Sequence, residues 1–407
     1  MTIQGSRVGI IGGSIAGCAA AIALQRAGCA VDVFERSSTA LQDRGSGIAM
    51  PATLDQELKE RGYLPADHPT LPMTHRAWML ADGTSQGRRL WLQQTGHGRA
   101  NNWGVLWHAL RQGVDDANYH GAMTMAECTA DSDGVGVRFA DGSERRFDVV
   151  IAADGYRSAL RTALTDSVPT YAGYVLWRGN YPESRAAGLP ALERANALGG
   201  WSTTCFKGGH GVYYPIPDSG GGRRINWAIY APTPPNLSIV GTSSIPPGSV
   251  TPEVYAHLQR LVAENFPPDQ RALVELSPRD EVSIQPIYDE QVDNYVYGRI
   301  ALIGDAGSVS RPHTGSGATK AIEDALCLER LSAKHDDWDA LLAAYGEERV
   351  ARGRTLAEVG ARIGKAQVKR TPEWGAMGPS EFEAWTQAIL AGDSLYLYGD
   401  EPERSTA

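Results

Sequence analysis

The spacing Gly12-x-Ser14-x-x-Gly17 is the first in the chain that could do chemistry. Small residues at these intervals let backbone N–H groups and a helix N-terminus face a phosphate. Ser14 stands where the usual pattern has its second glycine; it is small and can offer its own hydroxyl to the phosphate. Glu35 closes the apolar run Ala30-Val31-Asp32-Val33-Phe34, where a carboxylate can accept from ribose hydroxyls. These residues indicate a dinucleotide and leave open whether it is NAD or FAD. Two later apolar runs also end in an acid: Val149-Val150-Ile151-Ala152-Ala153-Asp154-Gly155 and Ile300-Ala301-Leu302-Ile303-Gly304-Asp305.

The surrounding pattern supplies the elements these residues need. A strand from about Val8, the turn, a small-residue helix to Ala27 and a second strand ending at Glu35 give the βαβ context that the motif requires. The run before Asp154 is continuous, as in a strand buried on both faces, and a short helix with Arg157, Ser158 and Arg161 follows. The Asp154 carboxylate could also cap that helix. The stretch Gly45-Ser46-Gly47-Ile48 allows a close backbone approach to a ligand. Helices are expected over 52–61 and 103–114, and hairpins around Asp82-Gly83 and Asp141-Gly142. From about Thr170 the texture becomes alternating and aromatic, around 176–179, 211–217 and 224–230, which indicates an antiparallel sheet. A proline-rich loop spans Pro232 to Pro247, and a helix follows with Thr251 as N-cap and Pro252 at its first position. A helix from about Ala318 leads to a helical tail read in two pieces, 338–345 and 347–369.

The 407 residues exceed one ordinary core, so two or three domains are expected. A net charge of -9 with no basic block makes nucleic acid and anionic membranes poor partners. Five scattered cysteines (Cys18, Cys29, Cys128, Cys205 and Cys327) without C-x-x-C indicate a reduced compartment, with neither a disulfide framework nor a zinc site. Histidines do not cluster at metal-ligand spacing, so no metal is expected. No apolar run nears the ~18 residues of a membrane helix, and the early first strand leaves no expected room for a signal peptide. A cytoplasmic location follows as the expectation.

Taken in order, Gly12-x-Ser14-x-x-Gly17 with Glu35, Asp154-Gly155 with Ser158 and Arg161, and Gly304-Asp305-Ala306 with Pro312-x-x-Gly315-x-Gly317 resemble the single-component FAD-dependent aromatic hydroxylases, the p-hydroxybenzoate hydroxylase-like flavin monooxygenases. The likeness covers roughly residues 5–330. Within that superfamily the chain is most similar to 2,6-dihydroxypyridine 3-hydroxylase-like enzymes. Gly12-Gly13-Ser14-Ile15, the stretch Pro169 to Gly179, Tyr214-Pro215-Ile216-Pro217 and Arg311-Pro312-His313 carry that likeness. Three departures mark a divergent branch: Gly307-Ser308 where many members have a histidine, Trp103 where many have an arginine touching FAD, and Gly315-Ser316-Gly317 for Gly-Gln-Gly.

The resemblance implies an α/β fold. A Rossmann-like FAD-binding domain is expected from residues 1–74, 97–167 and 283–330. An inserted, mainly antiparallel β substrate domain is expected from 75–96 and 168–282, and a helical C-terminal region from 331–407. It implies FAD as cofactor, held by Gly12, Gly13, Ser14, Ile15, Ala16, Gly17, Glu35, Arg36, Gly47, Ile48, Asp154, Gly155, Gly304, Asp305, Pro312, Gly315, Ser316 and Gly317. Asp305 is expected to reach ribityl hydroxyls, and the loop from Pro312 to run beside the flavin. NADH or NADPH is the transient co-substrate, and no second glycine-rich unit chooses between them. The implied reaction adds O₂ to reduced flavin at C4a and delivers one oxygen to a small electron-rich aromatic ring, a hydroxypyridine or a phenol. A base of near-neutral pKa would help ionise a ring hydroxyl, and His313 and then His210 are the candidates. Arg178, Tyr214, Trp201 and Trp227 are the candidates for holding the ring. A flavoprotein oxidase or dehydrogenase, or an NAD-dependent dehydrogenase, remains the alternative. A homodimer is left open.

Overall fold

Arg7–Ile11 lies in the interior of a six-stranded sheet because Val8, Ile10 and Ile11 are all buried. The computed structural model describes residues 1–39, 41, 46–197, 199–239 and 244–390. Gly45, part of the Pro232–Pro247 loop, and the tail beyond residue 390 lie outside the described residues. Parallel to Arg7–Ile11 run Ala30–Phe34 on one side and Val149–Ala152 on the other. Ile300–Leu302 continues beyond Val149–Ala152, also in parallel. The three acid-bearing strands therefore run parallel in one sheet, with Arg7–Ile11 between Ala30–Phe34 and the other two, and their C-terminal ends point the same way. That places Gly12, Asp154 and the Gly304–Ala306 turn at one edge. Helices Ile15–Arg26 and Gly317–Ser332 pack together over this sheet, and each aliphatic side chain so buried contributes about 1.5–3 kcal/mol.

The second layer is a nine-stranded sheet. Its strand order is Ser308–Val309, Ser283–Gln291, Thr170–Pro182, Arg223–Ala231, Gly209–Pro217, Ser202–Phe206, Leu71–Leu80, Arg88–Asn102 and Gly47–Pro51. All its pairings are antiparallel except Ser202–Phe206 with Leu71–Leu80. The sheet is wider than the sequence pattern suggests. It takes in 47–51, 71–74, 97–102 and 283–291, all expected in the FAD-binding segments. Asp82-Gly83 marked the turn of the long hairpin, but Pro72 and the glycines near 98 obscured its ends.

A three-stranded meander, Met125–Asp131, Gly134–Phe139 and Glu144–Phe147, adds one strand to the expected hairpin. The C-terminal tail differs from its expectation. Trp338–Gly364 is one helix of 27 residues that passes through Gly346 and continues as a π-helical turn, Lys365–Lys369. Glycine inside a helix costs only about 1 kcal/mol, which the packing of Leu341, Leu342, Tyr345 and Leu356 outweighs. Among the described residues, no helix is long and apolar enough to cross a membrane.

Candidate active site

The glycine turn is built by close packing. A Cβ on Gly17 would lie 1.8 Å from the Gly12 carbonyl oxygen, so only glycine lets the helix start against the turn. Ser14 is the N-cap of Ile15–Arg26, yet its side chain makes no capping bond. Ser14, Ile15 and Ala16 face the cavity described below, with the first-turn N–H groups of the helix. Behind them, Gly13 is tied down: its N–H donates to Glu35 Oε2 (2.8 Å), and its carbonyl accepts from Trp107 Nε1 (2.8 Å) and Tyr119 Oη (3.1 Å). Glu35 Oε1 also accepts from the Ser37 N–H at 2.8 Å. Glu35 thus braces the turn and lines the cavity together.

The second acid has a divided role. Asp154 Oδ2 accepts from the N–H groups of Ala159 (2.8 Å) and Leu160 (3.3 Å), so the carboxylate does cap the short helix Ala159–Leu164. Oδ1 is buried with no partner among the described residues, and Asp154 lines the cavity. Burial raises its carboxyl pKa above the ordinary range. The third acid, Asp305, also lines the cavity, and burial raises it too, against the pull of Lys320 and Arg161.

Two devices whose bracing role the sequence did not show hold these turns. Arg161 is buried and donates to the carbonyls of Asp305 and Ala306 (both 3.1 Å) and of Tyr156 (2.5 Å), joining the second and third strand ends. Asp324, wholly buried, accepts from the Gly304 N–H (2.8 Å), Lys320 Nζ (3.2 Å) and Arg349 Nε (2.6 Å). Lys320 Nζ also donates to the Gly304 carbonyl at 2.6 Å. Gly304 is therefore a brace behind the site. So are Gly13, Gly17 and Ser316, none of which reaches the cavity wall. In each the backbone is committed to the fold: Ser316, for instance, bonds only Thr314 through its N–H and hydroxyl.

All these elements border one cavity of about 750 Å³, toward the upper end of the ~300–1,000 Å³ range of small-molecule sites. It runs from Gly12, Glu35 and Arg36 past Ile48, Asp154, Gly155, Asp305 and Trp103 to the nine-stranded sheet. Gly47 belongs to its wall because its N–H donates to Asn226 Oδ1 (2.8 Å). A Cβ there would come within 2.6 Å of Asn226 Nδ2 and Tyr214 Oη. Pro312, His313, Gly315 and Gly317 form the wall that opens the helix Gly317–Ser332.

Strand register decides which aromatic groups face the cavity. His210, Val212 and Tyr214 pair with Tyr230, Ala228 and Asn226, and all six line it. The alternate residues point the other way. Trp227 is therefore a correction: it is 1% exposed, lies in the core under the sheet with Ile225 and Ile229, and donates from Nε1 to Ser277 Oγ (2.8 Å). Arg178 and Trp201 do line the cavity. Met73 and Arg76, from a strand that bulges between Met73 and His75, complete this wall.

His313 and His210 come together at the sheet end of the cavity. Their ring centroids are 5.3 Å apart, and both stack on Tyr230, at 4.1 and 4.6 Å. His313 Nε2 lies 2.7 Å from Tyr174 Oη. Neither imidazole has the near-neutral pKa expected of a base. Burial, and then the Arg76 charge, lowers His210 to about 3, slightly offset by the Gln367 backbone. Burial, then His210, Arg311 and Arg76, lowers His313 well below its ordinary value. Both rings are neutral at physiological pH.

The turn, the free first-turn amides and the orphaned Asp154 Oδ1 fit the pyrophosphate and hydroxyls of FAD. The matches to known proteins agree. Residues 7–63 match the pyridine nucleotide-disulphide oxidoreductase domain, and residues 251–359 match an FAD binding domain. The chain is 29% identical over 364 residues to a 2,6-dihydroxypyridine 3-monooxygenase of Paenarthrobacter nicotinovorans, covering 85% of this chain and 88% of that one. It superposes on the 2,6-dihydroxypyridine-3-hydroxylase structure from Arthrobacter nicotinovorans with a TM-score of 0.83 at 25% identity, over 98% and 99% of the two chains. By these matches the chain is an oxidoreductase of the FAD-dependent aromatic monooxygenase type. A 6-hydroxynicotinate 3-monooxygenase of Bordetella bronchiseptica is 26% identical over 90% of this chain and 94% of its own length. Klebsiella pneumoniae HpxO, solved with FAD and uric acid, gives a TM-score of 0.72 at 25% identity over 94% and 92%. FAD is the cofactor of this monooxygenase, and the dehydrogenase alternatives fall away. The match over 7–63 reflects the dinucleotide unit, since Cys18 and Cys29 are free thiols.

Proposed function

We propose that this monooxygenase hydroxylates a small electron-rich ring, a hydroxypyridine or a phenol, using NADH or NADPH and O₂. The observation that supports this most is the continuity of one cavity from the dinucleotide turn to an aromatic sheet face of Tyr214, Tyr230, Trp201 and two neutral histidines. The relatives' names, covering a dihydroxypyridine, urate and a hydroxynicotinate, favour a polar heteroaromatic ring.

Bound FAD supplies electron transfer from the nicotinamide and transfer of one oxygen atom. The protein's share is binding, orientation and exclusion of water. The N–H groups at Ser14, Ile15 and Ala16 hold the pyrophosphate, and Glu35 accepts from the adenosine ribose. Asp305 and the free oxygen of Asp154 accept from hydroxyls along the linker. Gly315, Gly317 and Ala318 leave room for a flat ring against a helix N-terminus, whose N–H groups favour negative charge. Tyr230 and Trp201 flank the substrate ring and keep water away from it. Neutral His313 orients the ring as a hydrogen-bond partner rather than as a base.

The test is direct. The purified protein is expected to be yellow and to oxidise NADH or NADPH faster with one of a panel of hydroxypyridines and phenols. The product is expected to be heavier by one oxygen. A colourless protein that takes up no FAD, or nicotinamide oxidation without oxygen insertion, overturns the proposal.

A further inference from the structure

We infer that Lys320 is a positioning residue for FAD, the buried counter-charge that holds Asp305 as an anionic acceptor toward the cofactor's hydroxyls. This inference rests on the reading of Asp305 as a contact of bound FAD.

Asp305 is half-buried in the cavity wall. Its carboxylate makes no hydrogen bond or ion pair among the described residues; only its carbonyl is tied, by Arg161. A carboxylate open to the cavity suits hydroxyl donors, and most strongly while it is charged. Burial works against that charge, and a cofactor filling the cavity removes still more water from it.

The compensation comes from behind the turn. Lys320 is 1% exposed, and its Nζ donates at 2.6 Å to the carbonyl of Gly304, the residue before Asp305. It also donates to Asp324 Oδ2 at 3.2 Å and lies 5.5 Å from the Tyr295 ring centroid. Asp324 gives its closer bond, 2.6 Å, to Arg349 Nε, and Arg349 meets Glu323 and Glu348 only at 3.7 and 3.8 Å. Two buried cations thus share one wholly buried acid directly behind the turn. A neutral donor could brace the Gly304 carbonyl equally well, whereas a buried ammonium is costly unless its charge is used.

Asp305 is where that charge acts. Burial raises the Asp305 carboxyl pKa, Lys320 and then Arg161 pull it back, and Asp324 pushes it up again. In return, burial pulls Lys320 toward its neutral form, but Asp324, Tyr295 and Asp305 outweigh it against Arg349, and the ammonium keeps its proton.

Release of FAD tests the inference, read from the fluorescence of free FAD as the holoenzyme is diluted between pH 6 and 9. Lys320→Gln keeps a donor for the Gly304 carbonyl and removes the charge. Asp154 titrates in both proteins, so the quantity read is the ratio of variant to unaltered dissociation constants at each pH. That ratio is expected to be about tenfold or more at pH 6 and to shrink toward one by pH 9, where Asp305 ionises without help. A ratio near one at pH 6 overturns the inference. So does a ratio equally large at both ends, because raising the pH does not restore a lost brace. Asp305→Asn cannot ionise, so adding Lys320→Gln to it is expected to change release by no more than about twofold; a further tenfold loss also overturns the inference. Should Lys320→Gln fold poorly, Lys320→Arg decides. It keeps the charge and alters the fit, so any loss of FAD is expected to be the same at pH 6 and 9, and a loss larger at pH 6 overturns the inference. If Asp305→Asn alone holds FAD as tightly as the unaltered protein, the reading of Asp305 as an FAD contact fails instead.

Discussion

His313 Nε2 lies 2.7 Å from Tyr174 Oη, and Arg311 donates to the same hydroxyl at 3.3 Å. Arginine has only donors, so the tyrosine accepts from Arg311, which leaves its own proton available to His313 Nε2. Arg311 is held in turn by both oxygens of Asp289, at 2.7 and 2.6 Å. A chain of four side chains thus orients a ring on the cavity wall. Tyr174→Phe removes its middle link. We expect kcat/KM to fall about tenfold with FAD content unchanged, because an orienting bond is lost and no cofactor contact. An unchanged kcat/KM would remove Tyr174 from this role.

The buried histidines make stability depend on pH in one direction. His210 falls from 6.5 in the ordinary case to about 3 in the fold. The unfolded chain therefore binds a proton between these values that the folded one refuses. Stability is full above the unfolded pKa and falls as pH drops through this window, by up to about 1.4 kcal/mol per unit for each such group. Denaturant titrations between about pH 7.5 and 5 should show this decline. His210→Gln should make it shallower, and an identical slope would contradict the buried neutral state.

Trp227 and Trp201 look alike in sequence and sit on opposite sides of the sheet. Trp227→Phe removes a buried hydrogen bond to Ser277 and some core contact. We expect it to cost about 1–3 kcal/mol of stability while kcat/KM per FAD-loaded molecule is unchanged. Trp201→Phe should do the reverse, raising KM with little change in the melting temperature. A KM effect from Trp227→Phe would place it nearer the ring than the register allows.

The contrast between these tryptophans shows where the sequence stops being legible. The glycine turn, Glu35 and the acids at 154 and 305 could be read because strand, turn and helix are contiguous, and each local pattern carries its own geometry. The ring pocket could not. In strands such as Gly209–Pro217 and Arg223–Ala231 apolar and aromatic residues occur on both faces. Which parity faces the cavity is then set by register with distant strands, and Trp227 fell on the wrong side. Arg76 was hidden for a related reason, since the bulge before it breaks the alternation that would have flagged a buried charge. The Asp324–Lys320–Arg349 cluster joins two helices to the Gly304 turn, and no local spacing announces such a contact.

Gly47 tests how tightly the edge strand of the nine-stranded sheet packs on that sheet's own aromatic wall. Its N–H bonds Asn226, and an added methyl would lie 2.6 Å from both Asn226 Nδ2 and Tyr214 Oη. Gly47→Ala must displace the Asn226 amide and the Tyr214 ring, or else the strand Gly47–Pro51 itself. We expect weaker FAD retention on gel filtration together with a raised KM, since that strand touches both ends of the cavity. Unaltered retention and KM would show that the wall yields without cost.

Arg161 offers the sharpest test of how the nucleotide end is held. Its guanidinium binds three carbonyls, those of Tyr156, Asp305 and Ala306, and so fixes the Asp154 turn against the Asp305 turn. Arg161 is itself no part of the cavity wall, so its effect on FAD must pass through these turns. Arg161→Met keeps much of the buried stem and loses all three bonds, leaving two strand ends free to separate. Both acids proposed to accept FAD hydroxyls would then lose their spacing. We expect the FAD dissociation constant to rise about ten- to hundredfold, the equivalent of one or two charge-assisted bonds. Arg161→Lys should recover only part, because an ammonium cannot span three carbonyls in a plane. If Arg161→Met binds FAD as tightly as the unaltered protein while its melting temperature falls, the arginine stabilises the fold without setting the site.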